Sequence, residues 1–309
     1  MYGIARRALL WASGNRWLKE RLPRYRFMQR AVRRFMPGET VADAFDAAAP
    51  LQAQHRIVSE YTKLGENLTV LTEADAVADH YLGVYDGIKE RGLDGEVSVK
   101  LTQLGLDLDT EATYAHCVRL ATRAAETASW FWIDMEDSSY VDRTLAIFER
   151  LRREGHERTG ICVQSYLRRT PADVERLLPL GAAIRLVKGA YDEKDDIALR
   201  SRGEVDAAFV SLAVTMLRSG KGVRLGLGTH DVRLVEQIAG QAAASGIGRE
   251  AFEVQMLYGI RANEQRRMAR EGYRVRVLIA YGDAWYPWYV RRLAERPANV
   301  LFALRQLLP

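Results

Sequence analysis

Two adjacent arginines, Arg291 and Arg292, follow a cluster of aromatic residues, Trp285, Tyr286, Trp288 and Tyr289. A guanidinium fork presents two parallel N–H donors at the spacing of a carboxylate, so a pair of forks beside flat rings can clamp a small carboxylate in one orientation. The flanking residues suit that use. An apolar run ends at the turn-like Tyr281-Gly282-Asp283, Asp283 is a fair helix N-cap, and Pro287 is tolerated in a first helical turn. Helical spacing then places Trp288, Arg291, Arg292 and Glu295 on one face. The same spacing also describes a solvated basic helix with an Arg–Glu pair, and this stretch alone does not separate the two.

Polar residues recur at the ends of other short apolar runs. They are Glu66, Lys100, Asp134 with Met135 and Glu136, Gln164, Arg185 with Lys188, Thr229 with His230, and Gln255. Any one of them has an ordinary structural use, as an inner salt bridge or a helix cap, Asp134 and Asp231 most easily. Their recurrence after almost every run is the mark of a shared site. Lys100 or Lys188 could also serve a lyase as a Schiff-base nucleophile.

The elements that must position these residues follow from periodicity and glycine stops. Helices are predicted over 41–54, 73–91, 110–128, 140–154, after Pro171, and over 204–219, 231–245 and 262–271. Strands are predicted over 57–64, 96–102, 129–134, 159–165, 182–188, 223–228, 251–257 and 273–279. Strands alternating with helices imply a parallel sheet, and this many units in roughly 250 residues imply a closed (β/α)8 TIM-type barrel, an α/β fold with its site at the C-terminal strand ends. An open doubly wound sheet is the runner-up. It would want a glycine-rich turn after an early strand, and Gly226-Leu227-Gly228 lacks the third glycine of a dinucleotide fingerprint.

With 309 residues, 48% of them hydrophobic and 28% charged, the chain can bury a large core. Cys117 and Cys162 have no metal-ligand spacing, so neither a metal site nor a disulfide framework is expected, and a cytoplasmic setting fits. A net charge of +5 does not imply nucleic acid. No apolar run is long enough to span a bilayer. The charge is uneven, however: up to Met36 the chain is rich in arginine, Glu20 is its one acid, and Trp11, Trp17, Phe27 and Phe35 are interleaved. This predicts a basic amphipathic helical arm over 1–38, bounded by Pro37-Gly38, ahead of a catalytic barrel over 39–309. Such an arm can lie on an anionic membrane, on the inner face of the cytoplasmic membrane, or pack on the barrel or a second subunit.

Several blocks together resemble the proline dehydrogenase family of the monofunctional bacterial type. They are VSVKLTQLG (97–105), IDMED (133–137), VQSYLRR (163–169), IRLVKGAY (184–191), GTHD (228–231), EVQMLYGIR (253–261), and the aromatic turn, paired arginines and Glu-Arg-Pro-Ala-Asn of 278–299. They stand in the family's order and cover most of the chain after about Leu64. The resemblance implies noncovalent FAD and the oxidation of L-proline to Δ1-pyrroline-5-carboxylate, with hydride passing to flavin N5 and electrons then to a quinone. It implies Arg185 near flavin N5, Met135 and Gln164 at the isoalloxazine, Val187, Lys188, Gly189, Ala190, Tyr191 and Gln255 in cofactor contact, and Thr229 and His230 at phosphate or adenosine. Asp134 and Arg185 become the catalytic pair. Lys100, Leu278, Trp288, Arg291 and Arg292 become the substrate wall, and Glu66 a gate that pairs with Arg291. No aldehyde dehydrogenase module follows Asn299, so a separate pyrroline-5-carboxylate dehydrogenase is the expected partner. Where the family usually has tyrosines this chain has Leu278 and Trp288, which opens the alternative of a related cyclic imino acid such as hydroxyproline. A remote alternative is a Schiff-base lyase using Lys100, and a non-catalytic barrel is a further rival.

Overall fold

Read at period two, stretches such as EVSVK, FEVQ and RVRV separate into an apolar row and a polar row, and the fold turns the polar row inward. The computed structural model describes residues 32–65, 68–220, 222–286 and 289–290. Helix α1 (Val41–His55) leads into β1 (Val58–Lys63), and the order continues α2 (Leu71–Glu90), β2 (Gly95–Lys100), α3 (Thr110–Glu126), β3 (Phe131–Asp134), α4 (Val141–Arg153), β4 (Thr159–Gln164), α5 (Thr170–Leu177), β5 (Ala183–Val187), α6 (Arg202–Arg218), β6 (Arg224–Gly228), α7 (Val232–Ala243), β7 (Phe252–Leu257), α8 (Ala262–Arg270) and β8 (Arg274–Tyr281). All neighbours pair in parallel, and β8 pairs with β1, so the sheet closes into the expected eight-stranded barrel. Closure leaves no sheet edge unpaired.

Local chemistry sets the element ends. Thr40 and Asp43 form a reciprocal capping box at the start of α1, with Asp43 N–H donating to Thr40 Oγ1 at 3.1 Å and Thr40 N–H donating to Asp43 Oδ2 at 2.9 Å. Ser201 and Glu204 repeat that arrangement at α6. Gly92, Gly155 and Gly246 end three helices with positive φ, as the glycine stops predicted. Some boundaries shift. Strand β2 stops at Lys100, and Leu101–Leu104 winds into a 3-10 turn. Strand β8 runs on to Tyr281, which is a buried strand residue and not part of the turn; the turn begins at Gly282, at φ 122°. Asp231 occupies the cap position of α7 but makes no cap bond, since its carboxylate faces Arg233 and Arg202.

Outside the barrel, the outward rows meet the helices in one apolar core that includes Tyr61, Val97, Phe131, Ile161, Leu186, Leu227, Val254 and Val277. Tyr61, for example, meets Phe45 of α1 edge to face at 4.9 Å. Inside, the filling is charged. Arg276 is fully buried, donates to both oxygens of Glu253 at 2.8 and 3.2 Å and to the Ser59 carbonyl at 2.6 Å, and stands 3.0 Å from Glu96. The Trp132 indole donates to Glu96 at 2.6 Å and fills the centre of the barrel. Two glycines make the room for this filling: a Cβ on Gly160 would lie 2.4 Å from the Trp132 ring, and one on Gly226 would lie 2.7 Å from the Gln255 amide. The Gly226-Leu227-Gly228 stretch therefore answers a packing need.

Among the described residues no helix is long and apolar enough to cross a membrane. Most of the predicted arm lies outside the described residues. Its last part packs on the barrel: Val32 and Met36 are buried, Phe35 stands 6.1 Å from the Tyr289 ring, and the Arg34 carbonyl comes so close to Gly259 that a Cβ would meet it at 1.6 Å.

Candidate active site

The C-terminal mouth of the barrel is ringed by half-buried residues at or near the strand ends, among them Thr62, Lys100, Asp134, Val187, Gly228, Leu257 and Leu278. Beneath them lies Arg185, whose guanidinium is held on every side. Its Nε donates to Gln255 Oε1 at 2.6 Å, and its Nη1 to Asp134 Oδ1 at 2.9 Å and, more weakly, to Ser98 Oγ at 3.4 Å. Its Nη2 donates to Glu60, and its Cζ lies 4.8 Å from the Trp132 ring centre. Burial works against the arginine's charge, but Glu60 and Asp134 outweigh it and push its pKa up, so the cation is permanent. The result is one fixed positive charge just under an open mouth, with Lys100 paired in register to Asp134 at the rim.

The sequence reading placed Gln255 at the end of its strand as a cofactor contact. The strand continues to Leu257, and the Gln255 amide is committed to Arg185 and, through Nε2, to Glu253 at 2.8 Å. It orients Arg185 from below. Arg185, likewise read as a strand end, sits two residues short of it. Lys188, one position beyond the strand, turns outward to α6, where Asp206 receives its ammonium; Asp231 stands 3.9 Å away. Arg202 and Arg233 approach the same two carboxylates, so three cations surround two acids. Thr229 is buried and accepts from the Asp231 N–H at 3.1 Å, and His230 is half-buried beside it. Ala190 and Tyr191 are exposed, and Met135 is buried under the rim.

Gln164 ends β4 with its Nε2 donating to the Glu136 carbonyl at 3.0 Å. Its Oε1 is buried and has no hydrogen-bond partner among the described residues. That is an acceptor waiting for an N–H. Gly189, at φ 109°, packs so closely on Tyr166 that a Cβ would lie 2.2 Å from the ring. The first feature suits a flat heterocycle with an imide N–H, and the second shows why position 189 admits only glycine.

Residues that the sequence reading missed, Gln103 and Thr102 among them, hold the frame together with Glu136, which it named. Gln103 donates to the carbonyls of Lys63 and Gly65 at 2.9 and 2.8 Å, fixing the chain up to the residue before Glu66. The Glu136 carboxylate accepts from the Thr102 hydroxyl at 2.9 Å and from its N–H at 3.2 Å. Burial pushes the Glu136 carboxyl up, and Lys100 and Thr102 pull it back. Glu60 and Ser98 were legible as polar residues on an inward row, but neither ends a strand. Glu66, Trp288, Arg291 and Arg292 lie outside the described residues.

Tyr281 ties the two segments that flank the mouth. Its carbonyl accepts from the Leu64 N–H at 2.7 Å, and its hydroxyl bonds His80 Nε2 at 2.7 Å. Burial, and then the nearby charge of Lys63, lower the His80 pKa to about 4. An imidazole near 6.5 in the unfolded chain takes up a proton there first, so stability is intact above that value and falls as pH drops towards about 4. Comparing urea midpoints at neutral and acid pH, we expect His80→Gln to lose about 1–2 kcal/mol less than the wild type, a figure reduced because the ring is partly exposed. Identical losses would show that folding does not lower the His80 pKa.

A cavity of about 280 Å³ opens at the other end of the barrel, between Asp94, Glu96, Trp130, Arg158 and Arg274. Asp94 and Glu96 there accept from Arg274, Arg276 and Arg224, and Arg158 donates to the carbonyls of Ala128 and Ser129. Conserving charge balance at the N-terminal face is a matter of stability, and the chemistry belongs at the mouth.

The family model for proline dehydrogenase matches residues 38–305. The chain belongs to that family. It is 35% identical to proline dehydrogenase 1 of Bacillus subtilis subsp. natto, over 99% of each chain, and 35% identical to proline dehydrogenase of Deinococcus radiodurans, over 91% of each. In structure it is similar to proline utilization A of Bdellovibrio bacteriovorus inactivated by N-propargylglycine, with a TM-score of 0.79 at 24% identity; 87% of this chain is covered, and it spans 33% of that one. That likeness is one of barrel fold. Family membership leaves the Schiff-base reading of Lys100, and that of a barrel without activity, with no observation in their favour. Among the described residues no His, Cys, Asp and Glu cluster could hold a metal ion.

Proposed function

We propose that the protein oxidises L-proline to Δ1-pyrroline-5-carboxylate with noncovalent FAD, passing electrons on to a quinone. The observation that carries this reading is the clamped Arg185 under a mouth lined by Lys100, Asp134 and the unpartnered Gln164 oxygen. Bound FAD would supply the hydride acceptor. Gln164, Met135, Val187 and Gly189 would hold the ring system, and Lys188, Thr229 and His230, with Ala190 and Tyr191 beside them, the phosphate and adenosine parts. Proline must present an unprotonated nitrogen to release hydride from the neighbouring carbon. The cationic floor of Lys100 and Arg185 would disfavour the ammonium form, and Asp134 would line the pocket beside it.

Arg291 and Arg292 would clamp the substrate carboxylate, with Glu66 pairing to Arg291 when the segment closes. The basic arm would bring the enzyme to an anionic membrane surface where quinone resides, and a separate dehydrogenase would take the product. The inward Leu278, half-buried and paired in register with Glu60 and Leu257, favours a second substrate, a ring-substituted proline such as hydroxyproline. Leucine offers no hydroxyl to read a substituent, so the wall discriminates by fit alone.

Anaerobic addition of proline should bleach the yellow protein, and ring-substituted analogues should do so within about 100-fold in efficiency. Leu278→Tyr should tighten proline and worsen the analogues. A yellow colour untouched by every imino acid would overturn the reading.

A further inference from the structure

Arg185 is gripped by two carboxylates where one would balance its charge. Asp134 comes from the rim, and Glu60 comes from β1, across the barrel. The Glu60 side chain is 1% exposed and that of Arg185 is 7% exposed. Gln255 and Ser98 already give the guanidinium neutral acceptors. Hydrogen bonding alone does not require a charge at position 60, because glutamine carries an oxygen at the same reach. A buried carboxylate is costly to desolvate, and an ion pair in place of neutral groups adds little to stability. Burial accordingly pushes the Glu60 carboxyl up, against the pull of Arg185. What the carboxylate adds is field. A fixed cation beside a group that gains electrons favours the electron-rich form, and an anion behind that cation weakens the preference.

We propose that Glu60 is the positioning residue of Arg185 and that its carboxylate tunes the positive field met by the bound flavin, a role that rests on the flavin reading above. Glutamine at this position keeps the bond and removes the charge, which separates tuning from support.

The test is the midpoint potential of the flavin in Glu60→Gln holoenzyme, measured by dye equilibration at about pH 8, above the ordinary carboxylate range. The flavin should be retained, the KM for proline should stay near wild type, and the reduced-to-oxidised ratio at fixed ambient potential should rise about tenfold, or roughly 30 mV for a two-electron couple. Ser98→Ala, which removes a neutral acceptor from the same guanidinium, should leave the potential where it was. If Glu60→Gln does not accumulate with flavin, Glu60→Ser removes the charge while leaving space for water, and the same rise is expected. An unchanged potential in a flavin-replete variant overturns the assignment, as does an equal shift in Ser98→Ala. A wild-type protein that purifies without flavin, or whose flavin proline does not reduce, sinks the flavin reading itself.

Discussion

Arg185→Met is expected to cut the rate of flavin reduction by proline about 10²–10³-fold, the usual loss when a preorganised charge is removed from a reacting centre. The same change should cost stability, with an unusual pH dependence. It strands Glu60 in the barrel, 1% exposed, with Asp134 still nearby. Removing one partner of a buried pair costs about 3–5 kcal/mol when the other stays charged. Glu60 can escape by holding a proton, because burial already pushes its pKa up and the loss of Arg185 removes the main opposing pull. Its folded pKa would then lie above the value of about 4.3 in the unfolded chain. A raised carboxyl leaves stability whole below the unfolded value and drains it as pH rises through the folded one. Denaturant midpoints should therefore show the deficit small near pH 4.3 and full at alkaline pH. A deficit that does not vary with pH would mean that Glu60 finds another cation.

Arg276→Met should do the reverse, with a large loss of stability and little effect on chemistry. Arg276 is fully buried at the N-terminal end, where it serves Glu253, Glu96 and the Ser59 carbonyl, with Asp94 at 3.5 Å. Burial pushes Glu253 up, yet Arg276 and Arg224 together bring it down to about 2. In the wild type this contribution is present above the ordinary carboxylate range and is lost as pH falls towards about 2. Methionine would leave these acids in the barrel with Arg224 and the half-exposed Arg274 as their remaining cations. A cost of about 3–5 kcal/mol is a large share of the total for a domain of this kind and should lower Tm by roughly 10 °C. The fraction that stays folded should keep its flavin and turn over as before. A loss of turnover equal to that of Arg185→Met would mean that the two ends of the barrel act as one unit.

These two arginines show where reading by residue type runs out. In RVRVLI the alternation is plain in the sequence, whereas AIRLV shows Arg185 as a single polar residue in an apolar run. Alternation says that one row differs from the other. It does not say which row faces in. An arginine on a strand is by default solvent-facing, and only closure of the sheet, with helices covering its outside, sends Arg276 and Arg185 to the interior. The partners of Arg185 come from β1, β2, β3 and β7, and Glu60 is 125 residues away in sequence, a separation no local pattern spans.

What the sequence determined by itself was the set of elements and the end of the barrel that bears the site. Period-two runs, helical stretches and glycine stops are local properties, and a parallel strand–helix alternation gathers the strand-to-helix loops, which carry the site in such barrels, at the C-terminal strand ends. Lys100, Asp134 and Gln164 were placed at strand ends that way. Tertiary structure alone decided which of these residues face the mouth and which lie beneath it. It set Gln255 beneath the mouth as a support of Arg185, turned Lys188 outward to Asp206, and made Tyr281 a buried anchor for His80. The physical reason is that a buried charge is acceptable only where partners converge on it, and that convergence exists only once the eight strands have closed.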